Sequence, residues 1–178
     1  SQNAEQMMQS WLDKIRASMK IDRAMVFGFN PDWSGKVLVE SMGAKWKPAG
    51  SVLDYDFHFK GGEFESYYVA NDVQTKGLAL AVLEKFEEIE EKAYIIVPIH
   101  SNNQLMGLLA VYQNSAPRNW QESDVGQLQE YAARFVKPLQ QTSYLCNAEF
   151  QSQRMEQAFK REKSLSKVLE KVRLSKDE

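Results

Sequence analysis

Cysteine is almost missing from this sequence: one thiol, Cys146, stands among 178 residues. A lone cysteine cannot close a disulfide within the chain or form a Cys-x-x-Cys motif, which fits a reducing compartment. Histidine is nearly as scarce. His58 and His100 are the only two, no His-x-x-His spacing exists, and no metal site is expected. Positive charge is not in excess either. The balance of 22 Lys+Arg against 24 Asp+Glu gives a formal net charge of −2, which offers nucleic acid no electrostatic footprint. Long hydrophobic runs are lacking too. The stretches 94–99 and 105–112 are too short to span a bilayer, and no signal peptide is visible. We therefore expect a cytoplasmic fragment without direct membrane contact, and leave a membrane anchor in its parent protein open. Its two ends read as cuts made within something longer. No glycine-rich phosphate loop or nucleophile elbow occurs, so no catalytic residues are assigned and no enzymatic activity is expected.

What is present suffices for a packed core, with 43% hydrophobic and 11% aromatic residues. Met8, Trp11, Leu12, Ile15 and Met19 recur at helical spacing over residues 4–19. Residues 24–29 read as a strand, the run NPDWSG at 30–35 as a turn, and 36–42 as the returning strand of a hairpin. A long irregular region covers 43–72. Residues 77–91 read as a helix, 93–99 (AYIIVPI) as a buried strand, Asn102-Asn103 as a turn and 105–112 (LMGLLAVY) as its partner. The acidic run EKFEEIEE at 84–91 is read as a solvated helix face.

Beyond Trp120 the pattern is helical throughout. Leu128, Ala132, Phe135, Leu139, Thr142 and Cys146 recur at three- and four-residue steps, with Pro138 expected to bend the axis. A second seam of Ala158, Leu165 and Val172, joined by Leu169, repeats as a heptad out of phase with the first. One helix over 122–173 would run roughly 75–80 Å at about 1.5 Å per residue. Such a length exceeds what a domain of this size needs, so a second chain or a neighbouring domain is expected to cover the surplus. The residues assigned to a homodimer interface are Trp11, Ile15, Leu128, Phe135, Leu139, Leu165 and Val172.

The irregular region holds the candidate ligand residues. Asp54 and Asp56 share a face of an extended segment near His58, which suits a metal or acid–base site. The alternative, which we prefer, is that these aspartates cap turns. The aromatic residues Phe57, Phe59, Phe64, Tyr67, Tyr68 and Tyr112 either collapse inward and fill a vacated pocket or line a smaller retained one. Filling is the preferred reading. A retained pocket would be lined by Asp54, Asp56, Phe57, His58, Tyr67, Tyr68, Asp72 and Tyr112.

The segments DRAMVFGFNPDWSGKVLVES (22–41), AYIIVPIHSNNQLMGLLAVYQNSAPRNWQ (93–121) and KREKSLSKVLEKVRLS (160–175) resemble the GAF domains of cyanobacterial phototaxis receptors and histidine kinases, the cyanobacteriochromes and their non-pigmented neighbours. The resemblance implies an α+β GAF fold: a central antiparallel sheet with helices on one side, and long terminal helices extending into a coiled-coil stalk. It implies an N-terminal bundle helix at 1–20, the GAF domain at 21–145 and a signalling or linker helix at 146–178. In pigmented members a cysteine followed by histidine, shortly after a Gly-Leu pair, attaches a linear tetrapyrrole. Here Gly77-Leu78 is followed by Ala81 and Val82 at those positions. A second cysteine, in Asp-X-Cys-Phe, is replaced by Asp56 in Asp54-Tyr55-Asp56-Phe57, and a strand-end histidine by Tyr112. Neither a methyl group nor a carboxylate can form the thioether, so no covalent cofactor is expected. The implied role is signal relay in a multidomain chemotaxis or phototaxis receptor, with neighbouring GAF or output domains of the same chain as partners. A small-molecule or non-covalent bilin sensor is the alternative.

Overall fold

The computed structural model describes residues 2–30, 35–51, 66–78 and 80–176. Helix α1 (Gln2–Met19) leads into strand β1 (Arg23–Phe29), which turns back as β2 (Gly35–Met42). A short 3₁₀ turn (Ala49–Ser51), β3 (Tyr68–Ala70), α2 (Leu80–Glu88), β4 (Ala93–Ser101), β5 (Gln104–Gln113) and α3 (Glu122–Lys176) follow. The strands form one antiparallel sheet in the order β2-β1-β5-β4-β3. The expected order of elements is found. Within 43–72, read as irregular, the structure adds the 3₁₀ turn and β3, three residues paired Tyr68↔Ile96 to Ala70↔Tyr94.

Alternation along the strands divides the sheet into two faces. Ala24 and Val26 of β1, Ile95 and Val97 of β4 and Leu109 and Val111 of β5 meet the stripe Met8, Leu12, Ile15 and Met19 of α1 and Leu128, Ala132, Phe135 and Leu139 of α3. Met25, Phe27, Tyr94, Ile96, Leu108, Ala110 and Tyr112 point the other way, toward Phe86 and Ile89. The terminal helices thus share one face, while α2 and its following turn contribute to the other. A bulge in β5 opposite Ile99/His100 shifts the register near the β4–β5 turn. At Gly107 an added Cβ would lie 2.5 Å from Phe27 O and 3.0 Å from Leu139 Cδ2. Glycine is therefore what allows α3 to lie against the sheet there.

Local chemistry fixes the turns. Asn102 and Asn103 both take positive φ (51° and 62°), the two-residue arrangement that suits a tight hairpin and that asparagine tolerates. Lys20 (φ 52°) ends α1, with the Ile21 amide donating to Arg16 O at 3.2 Å. Glu90 (φ 59°) ends α2 in the same manner, with the Glu91 amide donating to Phe86 O at 2.8 Å.

Contacts divide the chain into two units, 1–143 and 144–178. α1 belongs to the first, and its apolar stripe is buried in that unit's own core rather than reserved for a separate bundle. Helix α3 continues through Pro138, whose carbonyl accepts the Thr142 hydroxyl at 3.0 Å. In the second unit, side chains described over 158–175 are exposed throughout, Leu165 (66%) and Val172 (47%) among them. No helix among the described residues is long and apolar enough to cross a membrane.

Candidate functional site

Asp54, Asp56, Phe57 and His58 lie outside the described residues. The remaining pocket candidates do not converge. Tyr112 is 1% exposed and packs against Phe86 and Tyr94, with ring centroids 6.0 and 6.2 Å away, so its ring is core rather than pocket wall. Tyr68 lies two positions from buried Ala70 on β3, on the same face as Tyr94, and is 39% exposed; Tyr67 is 44% exposed. Asp72 serves a turn: its Oδ1 accepts the Gln74 amide at 2.9 Å and its carbonyl the Thr75 amide at 3.3 Å. Ala81 is exposed in the first turn of α2. Cys146 belongs to α3, in the second unit.

Four of the seven residues assigned to a dimer interface are corrected by their surroundings. Ile15, Leu128, Phe135 and Leu139 are 0% exposed within the chain's own core, so they have no surface to offer another copy. Trp11 meets Phe135 edge-on at 5.2 Å, joining α1 to α3. The helical spacing was read correctly, but the stripe faces this chain's sheet. Leu165 and Val172 remain exposed.

The sequence reading missed a buried charged cluster on the α2 side of the sheet. Arg23 opens β1 with its side chain fully buried. Its Nη1 donates to Glu40 Oε2 at 2.6 Å and its Nη2 to Lys47 O at 2.8 Å. Its Nε lies 2.7 Å from Glu91 Oε1, a contact along which the N–H is not aligned. Glu40 also accepts the Ala49 amide, at 3.1 and 3.0 Å to its two oxygens. Glu91 is 1% exposed and corrects the reading of 84–91 as a wholly solvated face: Glu84, Glu87, Glu88 and Glu90 are exposed, Glu91 is not. Burial pushes the Glu91 carboxyl well above the usual range, Arg23 opposes this, and Glu40 adds to it. The available signal was a charged residue at the head of an otherwise apolar strand.

The same environment acts on the tyrosines. Burial pushes Tyr94 up to about 12, and burial with help from Glu91 lifts Tyr112 well above its ordinary value. At neutral pH both hydroxyls keep their protons. At the rim, burial tends to raise Asp22, but amides of Ser115 and Asn114, at 2.9 and 2.8 Å, and the Ser115 hydroxyl outweigh it and hold its carboxyl below 3.8. Among the described residues no group of three or more His, Cys, Asp and Glu could hold a metal ion.

Comparison with known proteins agrees with this architecture. The chain is 28% identical over 173 residues to a Synechocystis sp. protein named as a methyl-accepting chemotaxis protein, covering 94% of this chain and 17% of that protein. It therefore spans only a small part of that relative's length. The red-light-absorbing state of a red/green cyanobacteriochrome matches with TM-score 0.68 and 34% identity, over 80% of this chain and 97% of that one. The photoproduct state of a GAF domain from a Synechocystis sp. protein matches with TM-score 0.68 and 28% identity, over 81% and 98%. The GAF domain profile matches residues 3–137, so α1, the five-stranded sheet and the first turns of α3 fall within it, and the chain belongs to the GAF domain family.

Proposed function

We propose that this chain is a pigment-free sensory and relay module of a larger cyanobacterial receptor of the chemotaxis or phototaxis type, acting in the cytoplasm. Two features of sequence support the loss of pigment: Ala81 stands where the bilin-attaching cysteine is expected, and the only thiol, Cys146, is on α3. The chemotaxis relative, of which this chain matches 17%, supports a place inside a longer receptor flanked by further GAF or output domains.

The observation that carries the relay reading is the contrast between the two units. In the first unit, described apolar side chains from Ala4 to Leu139 build two buried cores, whereas Leu165, Leu169 and Val172 of the second unit are exposed at heptad spacing. A repeated apolar seam on an exposed helix is what a homodimeric coiled coil requires. Movements of about 1–2 Å between such helices suffice to pass on a change of state. Light scattering tests this directly. The full chain is expected to be dimeric and the Leu165→Asp/Val172→Asp double variant monomeric; an unchanged mass for the variant would reject the seam.

A second reading, a small-molecule sensor without a covalent bond, draws support from Tyr68, whose ring stays partly exposed on the Tyr94 side of the sheet. Native mass spectrometry of purified chain separates the two, since a retained compound adds mass that denaturation removes.

A further inference from the structure

Glu91 occupies a position where a helix end ordinarily keeps an apolar side chain. It follows the left-handed Glu90 that closes α2, just as Ile21 follows the left-handed Lys20 that closes α1. Ile21 fills its slot with an aliphatic side chain that is 6% exposed. Glu91 puts a carboxyl group into the equivalent slot, and its side chain is 0% exposed.

The charges around it do not balance if every carboxyl is ionised. The groups facing Glu91 are Arg23 and Asp22 from β1 and the residue before it, Glu40 from β2 and Tyr112 from β5. Arg23 is the one cation among them. Its aligned bonds go to Glu40, Met42 Sδ, Lys47 O and, at 3.5 Å, Ile89 O, and Glu40 takes the Ala49 amide as well. Glu91 has the 2.7 Å contact with Arg23 Nε, and neither of its oxygens has an aligned hydrogen-bond donor among the described residues. One guanidinium therefore serves two carboxyls, the buried Glu91 and the 12% exposed Glu40, and Glu40 is the better served. A second buried anion beside Glu40 would go uncompensated; a proton on Glu91 removes it.

The position of this group gives the proton a mechanical consequence. Ile89 O accepts Asn114 Nδ2 at 2.9 Å, the Lys92 amide donates to Gln113 O at 2.9 Å, and the Val73 amide donates to Lys92 O at 2.8 Å. The residues on either side of Glu91 thereby tie the end of α2 to the end of β5 and to the segment after β3. We propose that Glu91 is held as a neutral acid and that its proton is a switch keeping the end of α2 locked to the sheet. Ionisation passes one proton to solvent and leaves two carboxylates against a single guanidinium, which favours local opening of the joint.

Native-state hydrogen exchange of the full chain tests this at the Glu91 and Lys92 amides. In the open state Glu91 titrates at its ordinary 4.5, and in the closed state well above it. Between those two values the opening constant, corrected for intrinsic exchange, should rise about tenfold per pH unit. In Glu91→Gln, which mimics the neutral acid, that slope should vanish. A flat pH profile in the wild-type chain, or an unchanged slope in the variant, would overturn the proposal. Should the variant fail to fold, carbon-13 titration of the glutamate carboxyls in the wild-type chain decides. One carboxyl titrating clearly above the rest is expected, and all titrating together refutes it.

Discussion

Arg23 holds two carboxyls, of Glu40 and Glu91, and two carbonyls, of Lys47 and Ile89, from a fully buried position, so its removal strands all four. Arg23→Met should lower stability by about 3–5 kcal/mol, the range for breaking one side of a buried ion pair, as read from urea denaturation at neutral pH. A loss below about 1 kcal/mol would mean the cluster contributes little more than a surface pair. Asp22 gives a signed pH effect. Its folded value is depressed, so the stability it adds is present above 3.8 and lost as the pH falls through the lower folded value. Asp22→Asn should remove that part of the acid sensitivity, measured by urea midpoints from about pH 5 to about pH 2. These residues were the least legible in the sequence. Arg23 heads a strand whose other members are apolar, but nothing in the order of residues names its partner. Glu91 closes an acidic helical run, and helical periodicity assigns it to water along with its neighbours. Only the left-handed turn at Glu90 aims it inward.

At the scale of elements, the stripe on α3 is a packing surface for this chain. Phe135→Ala should therefore cost about 3–5 kcal/mol, because Trp11, α1 and the sheet all lose contact with the ring. The variant should remain in the same oligomeric state as the parent when folded, which light scattering at low temperature can check. Gly107→Ala should cost about 1–3 kcal/mol through overpacking, since Phe27 O is backbone and cannot rotate away. Both strand pairs and all three helices were legible, because each carries enough residues for its period to show. β3 was not, since its three residues are too few for alternation to register. The helical seam was legible in spacing but not in destination: an apolar stripe on an amphipathic helix reads the same whether it meets a sheet of its own chain or a second copy.

For the molecule as a whole, two cores built within residues 1–143 imply that the domain folds without the helical residues that follow. A chain ending at Ser143 should match the full chain's unfolding free energy to within about 0.5 kcal/mol, because every residue of the two cores is kept. A much larger loss would show that 144–178 supports the domain directly. What the whole molecule senses was legible only through the positions where a thiol is absent. Those positions are readable from sequence because thioether formation needs one particular atom, whereas non-covalent recognition rests on shape and has no such marker. The decisive measurement is intact mass under denaturing acid, made on chain purified from cells that synthesise bilins. The account predicts the mass of the bare polypeptide and no visible absorbance in the denatured protein. A chain heavier by one tetrapyrrole, still coloured after denaturation, would contradict it.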